Sequence, residues 1–495
     1  MQTLPYTPES YQLLHDGAVV LSEIEANGMR VDLDYMDRAT KKAERKIRHL
    51  QAKMSDSDVV KEWRKRYGAK TNFESGEQLG VVLFDVMGYK PPDERTDSGR
   101  YKTDIEALSS VGVPFVDDLL QVRKLQKAVG TYLKGILNEV VDGYVHPFFN
   151  LHLVRTYRGS SDSPNWQNIP VRDPEIRDLV RTALVPRPGR SIVEIDFSGI
   201  EVRIACCSHK DPRMVEYLND PTKDMHRDMA MECYLLTQAE VVKVARAAAK
   251  SYFVFAQFYG DWFIDCARRL WEAIPKDKLV TASGTPMLDH LKSKGVTHLG
   301  ALDPKMEPTR GSFEGHIKQV EKNFWDKRFP VYKQWKLDFF SKHQRTGYFQ
   351  TLTGFICQGF MKRNEVINYG TQGSAFHCLL WVLIQLSREL HRRNMKTLLI
   401  GQIHDSIVAD VVPEERDEYI GIVRELIEVK LARHWRWINV PMTAEAEGTA
   451  VDAPWSTKEK LSMTGPNPSP NDDRNDGWDH RAPVAERRER KANVK

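Results

Sequence analysis

Two short apolar regions of the chain each lead to a carboxylate. Residues 191–195 run directly into Asp196, and the apolar runs 398–403 and 407–412 flank a polar turn at Asp405. Apolar runs of this length are typical of buried strands, and two of them separated by a short polar turn predict a hairpin. The pattern therefore places one carboxylate at the end of a strand and a second at the tip of a hairpin.

Most of the remaining chain has a helical pattern. Residues 13–55 have helical spacing with an interruption near Asn27 and Gly28, and further helices are predicted over 239–258, 313–345, 362–393 and 414–433. Additional strands are predicted only within 143–155 and 440–447. Few strands scattered among many helices predict an α+β fold, with a small antiparallel sheet that carries large helical elaborations.

Length and composition narrow the class of protein. A chain of 495 residues is too long to fold around one ordinary hydrophobic core, so two to four packed units are expected. No apolar run approaches the length that spans a bilayer, and the amino terminus lacks a signal-peptide pattern, so export is not expected. The six cysteines show no C-x-x-C spacing, which predicts reduced thiols in the core rather than zinc ligands or disulfides.

Charge is unevenly distributed along the chain. The net charge of +4 alone does not indicate a nucleic-acid partner, but residues 41–70 contain eleven Lys or Arg against four Asp or Glu. A basic helical segment suits contact with a phosphate backbone. A solvated helix face is the alternative reading of the same residues, and the segment alone does not decide between them.

A pair of cations lies between the two carboxylates in sequence. Arg246 and Lys250 are four residues apart on a helix rich in Ala, Val and aromatic residues, and like charges at that spacing repel by a few tenths of a kcal/mol. A strong acceptor such as a triphosphate would offset this repulsion, whereas two solvated charges are the alternative. Asp196 and Asp405 in turn offer the oxygen ligands that Mg²⁺ prefers, although a helix cap and an ordinary turn aspartate would also explain them.

Taken together and in order, these segments resemble the motifs of family A DNA polymerases, the DNA polymerase I type, and more narrowly bacteriophage members that contain only the polymerase region. In that family, motif A is an aspartate followed by aromatic-Ser-x-Ile-Glu-x-Arg, which residues 196–203 match. Motif B is Arg-x3-Lys followed by an aromatic-rich helix that ends in Tyr-Gly, which residues 246–260 match, and motif C is the His-Asp turn at 402–405. Weaker matches extend from about residue 23 to residue 455.

The resemblance implies a right-hand architecture of thumb, palm and fingers. Its expected divisions are a segment leading into the palm (1–30), a thumb with the basic helices 41–70 (31–140), palm with motif A (141–211), fingers with motif B and an inserted excursion at 275–312 (212–345), palm with motif C (346–460) and a disordered tail (461–495). The insertion is expected to project from the fingers.

The resemblance also implies a role for individual residues. Asp196 and Asp405, with the Phe197 carbonyl, would bind two Mg²⁺ ions, for which Mn²⁺ could substitute. Arg246, Lys250 and His226 would hold the triphosphate, with Lys250 also catalytic, and Glu201 with Tyr259 would exclude a ribose 2′-hydroxyl. The residues expected to contact the primer–template are Arg158, Asn165, Gln167, Asn168, Gln372 and His404.

The sequence departs from the family pattern in motif B and motif C, and Gly199 of motif A stands where a Gln is common. The family places the motif B aromatic four residues after the lysine, where this chain has Val254, with Phe255 one position later. Either a continuous helix aligns Val254 and Phe258 with Lys250, or a π-bulge absorbs one residue and gives Phe255 and Tyr259 the usual roles; the Phe-Tyr-Gly ending favours the bulge. Ser406 also replaces the acidic residue that commonly follows the motif C aspartate.

The implied function is a template-directed DNA polymerase that works on primer–template and deoxynucleoside triphosphates. Neither a proofreading exonuclease domain nor a 5′ nuclease is expected in this chain, so a separate exonuclease or other replisome proteins would act beside it. A monomer in the cytoplasm, that of the host if the protein is viral, with no membrane partner is expected. The two alternatives are a single-subunit RNA polymerase, against which Glu201 argues, and a silent polymerase-like protein that only binds primer–template or a replisome partner.

Overall fold

The computed structural model of the chain describes residues 6–91, 95–96, 98–109, 111–171, 173–220 and 222–463. Helices dominate these residues, and the strands are short except for those around the two aspartates. The predicted α+β class is therefore confirmed. No helix in these ranges is both long enough and apolar enough to cross a bilayer.

The α-helices of the described residues are numbered α1 to α20 in chain order. They are Pro8–Asn27, Leu33–Ser55, Asp58–Tyr67, Gly76–Gly80, Ile105–Ser109, Pro114–Lys127, Gly135–Asn138, Pro174–Arg181, Ile200–His209, Pro212–Asn219, Met225–Tyr234, Lys243–Ala249, Phe255–Tyr259, Phe263–Lys276, Met287–Ser293, Phe313–Asn323, Pro330–Thr346, Arg363–Arg392, Arg416–Glu425 and Leu431–His434. The π-helical segments Ala128–Lys134, Lys250–Val254, Phe324–Arg328 and Leu426–Lys430 each lie between two of these helices, and a further one, Val81–Val86, extends α4.

The strands are numbered β1 to β13 in the same way. They are Met29–Val31, Val140–Val141, Tyr144–Val145, Phe148–Asn150, Ser160–Asp162, Leu184–Val185, Ser191–Phe197, Tyr348–Gln350, Ile356–Gln358, Leu398–Ile403, Ser406–Val411, Ala444–Gly448 and Glu459–Leu461. Short 3₁₀ turns occupy Gly68–Lys70, Trp166–Asn168, Gln238–Glu240, Pro413–Glu415 and Trp455–Thr457.

Five strands form the central sheet, which we call the palm sheet. Its order is β10-β11-β7-β12-β13, and every neighbouring pair is antiparallel. Strands β10 and β11 form the predicted hairpin around His404 and Asp405, and β7, which ends beside that turn, lies between β11 and β12. Helix α1 packs against both β10 and α18, so the amino-terminal helix lies beside the palm sheet.

The predicted thumb has a hydrophobic core of its own. Trp63, Leu83 and Leu119 belong to a buried cluster, separate from the main core, between residues 59 and 119. The basic residues nearby are only partly free: Lys46 pairs with Glu175 at 2.9 Å and Lys53 pairs with Asp118 at 2.7 Å, while other cations of the segment, including Lys42, Arg45 and Arg66, are exposed. Part of the positive charge of the segment is therefore paired within the fold, and the rest forms an exposed positive surface.

The insertion at 275–312 is anchored to the main core by part of its residues. Its apolar residues Met287, Leu291 and Val296 are buried in the main core, and the Ala282 N–H donates to the Glu240 carbonyl at 3.1 Å. These apolar side chains and backbone bonds anchor the segment to the rest of the chain, and its projection from the fingers stays a prediction.

The ordered chain continues slightly further than the sequence predicts. Leu461 lies in β13 and pairs with Ala446 of β12, and Met463 packs against the main core. Disorder therefore does not begin at residue 461, and the rest of the predicted tail, residues 464–495, lies outside the described residues. All six cysteines are free and buried, which confirms the prediction of reduced core thiols.

Candidate active site between palm and fingers

Asp196 and Asp405 lie together at one edge of the palm sheet. Asp196 of β7 pairs with Ser406 of β11, the residue that follows Asp405, and the Phe197 N–H donates to the Asp405 carbonyl at 3.2 Å. Partial burial and then the negative charge of Asp405 raise the pKa of Asp196, and burial also raises the pKa of Asp405. Two carboxylates that resist joint ionisation are stabilised by a bound cation.

Two side-chain amides hold the turn that carries Asp405. His404 has a φ of 52°, in the left-handed region that non-glycine residues seldom occupy. The His404 N–H donates to Gln167 Oε1 at 3.0 Å, and Gln402 Nε2 donates to the His404 carbonyl at 2.7 Å. Because Gln167 Nε2 also donates to Gln402 Oε1 at 2.8 Å, the two amides fix the peptide that precedes Asp405.

The two aspartates offer carboxylate oxygens on which a metal ion could be held. Across the described ranges, no group of three or more His, Cys, Asp or Glu side chains is arranged to hold a metal ion. Ser406, which takes the place of a possible third carboxylate, bonds through its hydroxyl to the Ile403 carbonyl at 3.0 Å. A pair of carboxylates with open space beside it fits Mg²⁺, because this ion keeps several waters and takes substrate phosphates as its remaining ligands.

The segment from α12 through α13, which we call the motif B helix, contains a π turn. Residues 250–254 are π-helical, and the Phe255 N–H donates to the Lys250 carbonyl, five residues earlier instead of four. Val254 is 0% exposed, whereas Phe255 is half-buried. Of the two registers that the sequence allows, the structure therefore has the bulged one, in which Phe255 shares a face with Lys250.

Lys250, Arg246 and His226 form a cationic cluster around Phe255. Lys250 Nζ lies 5.3 Å from the centroid of the Phe255 ring, and the His226 ring meets the same ring edge-on at 5.7 Å between centroids. Arg246 Nε pairs with Asp224 Oδ2 at 2.6 Å. Burial and then the nearby charges of Lys250 and Arg246 lower the pKa of His226 to about 4. At neutral pH the cluster has two cations and a neutral imidazole, and the Asp224 carboxylate balances the charge of Arg246. The remaining positive charge of Lys250 favours an anionic ligand.

Glu201 connects the palm to the motif B helix. The Tyr259 hydroxyl donates to one carboxylate oxygen of Glu201, and Arg158 Nη1 contacts the other at 3.2 Å. Burial and the Glu201 charge raise the pKa of Tyr259 well above its usual value, so the phenol remains a hydrogen-bond donor. The predicted partnership of Glu201 and Tyr259 is therefore present in the structure, together with Arg158 as a third member.

Residues from all three motifs line one cleft. It has a volume of about 210 Å³ and is lined in part by Glu201, Phe255, Tyr259, Gln372 and Asp405. Clefts with a few converging polar groups are where small-molecule ligands bind. Motif A, motif B and motif C, which are separated by up to two hundred residues in sequence, thus meet around one space.

The remaining residues predicted to contact primer–template differ in whether their side chains are exposed or already hydrogen-bonded within the protein. Asn165, Asn168 and His404 are exposed near the turn of motif C. By contrast, both the oxygen and the nitrogen of the Gln167 side-chain amide form hydrogen bonds with the palm hairpin. The structure therefore gives Gln167 a supporting position under Asp405 that the sequence did not indicate.

Asp224 is an acidic residue of this site for which the sequence predicts no role. Asp224 caps α11 through the Arg227 N–H at 3.0 Å and also pairs with Arg246. Its position two residues before His226 was visible in the sequence, and an aspartate before a helix is a recognisable cap. The pairing with Arg246 depends on how α11 and α12 pack, which no local pattern indicates.

Comparison with solved structures identifies the architecture. The fold matches the structure described as the POL domain of Pol1 from M. smegmatis in complex with DNA primer-template and dNTP, with a TM-score of 0.69, 23% identity, and coverage of 90% of this chain and 70% of that chain. The arrangement of palm sheet, thumb and fingers is therefore that of a polymerase domain.

Sequence comparison agrees with this class. The model of DNA polymerase family A matches residues 35–275. DNA polymerase I of Bacillus subtilis (strain 168) is 28% identical over 439 residues, which are 86% of this chain and 44% of that protein, and DNA polymerase I of Lactococcus lactis subsp. lactis (strain IL1403) is 27% identical over 426 residues, 83% of this chain and 42% of that protein. The chain thus spans less than half the length of these curated relatives. Its resemblance to the family A DNA polymerases is confirmed.

Proposed function

We propose that this chain is a template-directed DNA polymerase. In the reaction, the 3′-hydroxyl oxygen of a primer attacks the α-phosphorus of a deoxynucleoside triphosphate and loses its proton. A new P–O bond forms, and the bond to pyrophosphate breaks. The observation that supports this function most strongly is the cleft in which Glu201, Phe255, Tyr259 and Asp405 meet, because it joins a carboxylate edge to the motif B helix.

Each wall of the cleft has a separate task in this proposal. Asp196 and Asp405, with the Phe197 carbonyl, would hold two Mg²⁺ ions, which supply Lewis-acid stabilisation of the attacking and leaving oxygens when bound. Lys250 would stabilise the charge that develops on the leaving pyrophosphate, and Arg246 would hold the triphosphate. Burial and then the charges of both cations lower the pKa of His226, which therefore would donate or accept a hydrogen bond as a neutral group.

Selection of the sugar and of the template would use neighbouring residues. Glu201, held between Tyr259 and Arg158, would occupy the space of a ribose 2′-hydroxyl. Arg158, Asn165, Asn168, Gln372 and His404 would contact the primer–template near its growing end. Gln167 would act on the DNA indirectly, through the turn that it holds.

The wider biological setting is proposed on the motif resemblance alone. It comprises a role in bacteriophage DNA replication in the host cytoplasm, a monomeric state, and a separate polypeptide that supplies proofreading. The relatives reported above are bacterial proteins and leave these points as predictions.

Primer extension with purified protein tests the proposed function. A labelled primer on a longer template should lengthen with deoxynucleotides and Mg²⁺, should lengthen far less with ribonucleotides, and should not change without nucleotides. Asp405→Asn should abolish extension while primer–template binding persists. Asp417→Asn makes the same change of charge at a position whose side chain is 76% exposed, and it should extend normally. Full extension by Asp405→Asn, or equal use of ribonucleotides by the unaltered chain, would refute the proposal.

A further inference from the structure

The π turn redirects every later side chain of the motif B helix. In an uninterrupted α-helix each residue adds about 100°, so position 257, seven residues after Lys250, would lie on the same face as Lys250. With one residue absorbed in the π turn, the Gln257 side chain instead points roughly 120° away from Lys250. This agrees with its burial, since Gln257 is 1% exposed and lies in the fingers core.

Gln257 is held there by directional bonds to two neighbouring elements. Trp325 Nε1 donates to Gln257 Oε1 at 2.6 Å, and Gln257 Nε2 donates to Glu321 Oε1 at 2.6 Å and lies 3.5 Å from Cys266 Sγ. Glu321 belongs to α16, and Trp325 belongs to the π-helical segment 324–328. The amide therefore connects the motif B helix to the helix that packs behind it.

The remaining contacts at this interface are apolar and less directional. The Phe253 ring packs edge-on against Phe324 at 5.4 Å, and the Phe258 ring lies 5.8 Å from Phe324 and 6.4 Å from Trp325 between centroids. Apolar residues of similar size can exchange places in such packing, whereas a buried amide, indole and carboxylate need their partners. A shift of the helix to the regular register would remove Gln257 from both partners, and the buried Trp325 Nε1 would lose its acceptor.

We propose that Gln257 is a positioning residue that selects the bulged register of the motif B helix and thereby turns Phe255 and Tyr259 toward the incoming nucleotide. In the regular register, Val254 and Phe258 would take those places. Phe258 has no hydroxyl with which to bind Glu201, so nucleotide binding would weaken. This inference rests on the proposed polymerase function.

The direct test is Gln257→Leu, which keeps a side chain of similar volume and removes both bonds. We expect the deoxynucleotide KM in single-nucleotide extension to rise about tenfold, with kcat within about threefold and primer–template affinity unchanged. Tyr234→Phe is the matched control, because it also removes one buried hydrogen bond in the fingers, from the Tyr234 hydroxyl to the Leu270 carbonyl at 3.0 Å, and it should leave KM unchanged. An unaltered KM in Gln257→Leu would overturn the inference.

A deletion separates positioning from simple loss of stability. Removing Ser251, an exposed residue of the π turn, leaves Phe255 four residues after Lys250 in a regular helix, so no bulge needs selection. In that background, Gln257→Leu still loses both bonds but should change the deoxynucleotide KM less than about twofold. An equally large increase in both backgrounds would show that Gln257 serves stability alone and would overturn the proposed role.

Thiol labelling reports the register without any activity. In Val254→Cys, the introduced thiol is buried in the bulged register and should react slowly, against a background of six buried native cysteines. Adding Gln257→Leu should raise its labelling rate at least about tenfold at the same folded fraction by circular dichroism. Slow labelling in the double variant would overturn the inference. Register-dependent labelling in a protein that extends no primer would instead support the positioning role and refute only the polymerase function.

Discussion

The carboxylates of the palm and the cations of the fingers are positioned by two different kinds of structure. Asp196 lies on β7 and Asp405 lies in the turn between the paired strands β10 and β11, so strand pairing and backbone hydrogen bonds such as that from the Phe197 N–H to the Asp405 carbonyl hold the two residues together. The motif B helix is positioned by side chains instead, through the ion pair of Arg246 with Asp224 and the buried amide of Gln257.

This difference separates the expected effects of substitution. On a sheet edge, a side chain can be changed without moving its neighbours, because a ladder of backbone bonds holds the register. On the motif B helix, the removal of one polar side chain also changes where the others point. We therefore expect palm variants to lose the chemical step and several fingers variants to lose nucleotide affinity.

The largest effect should come from the palm. Asp196→Asn keeps the size of the side chain and removes one of the two metal-binding charges, so kcat for single-nucleotide extension should fall about 10³-fold or more, which is about 4 kcal/mol of transition-state stabilisation. Because the strand pairing of β7 does not involve the carboxylate, the primer–template Kd should change less than about twofold. Rapid-quench single turnover and fluorescence anisotropy measure the two quantities.

The control for this prediction is Asp338→Asn, an exposed residue of α17 that accepts a bond from Gln334 at 2.9 Å. It should match the unaltered chain in both measurements. A loss of primer–template binding as large as the loss of turnover would contradict the idea that the sheet holds its geometry without the carboxylate.

Within the fingers, substitutions of the two cations should have different effects, one on the chemical step and the other on nucleotide binding. Lys250→Met should lower kcat about 10²-fold, or about 2.7 kcal/mol, because the charge stabilises the leaving pyrophosphate mainly in the transition state. Arg246→Met should mostly raise the deoxynucleotide KM, because a cation that binds the triphosphate in ground state and transition state alike gives uniform binding. Steady-state kinetics over a range of nucleotide concentrations distinguishes them. An increase of KM alone in both variants would remove Lys250 from the chemical step.

The sequence predicted the palm half of the site in more detail than the fingers half. Asp196 could be placed at the end of a strand and Asp405 at the tip of a hairpin, because strand runs and a short polar turn are local patterns. The π turn was one of two structures that the sequence allows. The sequence shows one extra residue between Lys250 and the aromatic residue, but it does not show whether the helix accommodates that residue in a π turn. What decides the register, the bonds of Gln257 to Glu321 and Trp325, depends on tertiary packing across about 65 residues.

Other parts of the fold were missed for the same physical reason. The separate thumb core around Trp63 and the burial of Met287 against the fingers come from contacts between distant segments. The bond of Gln167 to the His404 N–H joins residues that are more than two hundred positions apart. Periodicity and spacing describe one element at a time, so they do not show which elements meet.

Buried histidines should make stability depend on pH in a predictable direction. His377 on α18 is 0% exposed, its ring stacks on Phe355 at 4.2 Å, and burial lowers its pKa to about 3. The unfolded chain takes up a proton near pH 6.5, so stability is full above that pH and falls as the pH drops from 6.5 toward 3. When the pH is lowered from 7.5 to 5, protonation of this one residue in the unfolded chain should lower the free energy of unfolding by about 2 kcal/mol.

The measurement is the free energy of unfolding from denaturant titrations at the two pH values. His377→Phe should reduce the pH-dependent loss by about 2 kcal/mol, whatever its effect at pH 7.5. His152→Asn, at an exposed position, should leave the loss unchanged. If His377→Phe has the same pH-dependent loss as the unaltered chain, the buried imidazole is not the group that takes up the proton.

The smallest effect concerns Glu201, where palm and fingers touch. Glu201→Ala should open the space beside the sugar, so kcat/KM for ribonucleotides should rise about tenfold, or about 1.4 kcal/mol, while deoxynucleotide use changes less than about threefold. Tyr259→Phe removes only the fingers partner and leaves the carboxylate beside Arg158 at 3.2 Å, so its increase should be smaller. Competition between the two nucleotide types in single-nucleotide extension measures both ratios. If Tyr259→Phe matches Glu201→Ala, the fingers side positions the carboxylate; if neither variant gains ribonucleotide use, Glu201 does not exclude the 2′-hydroxyl.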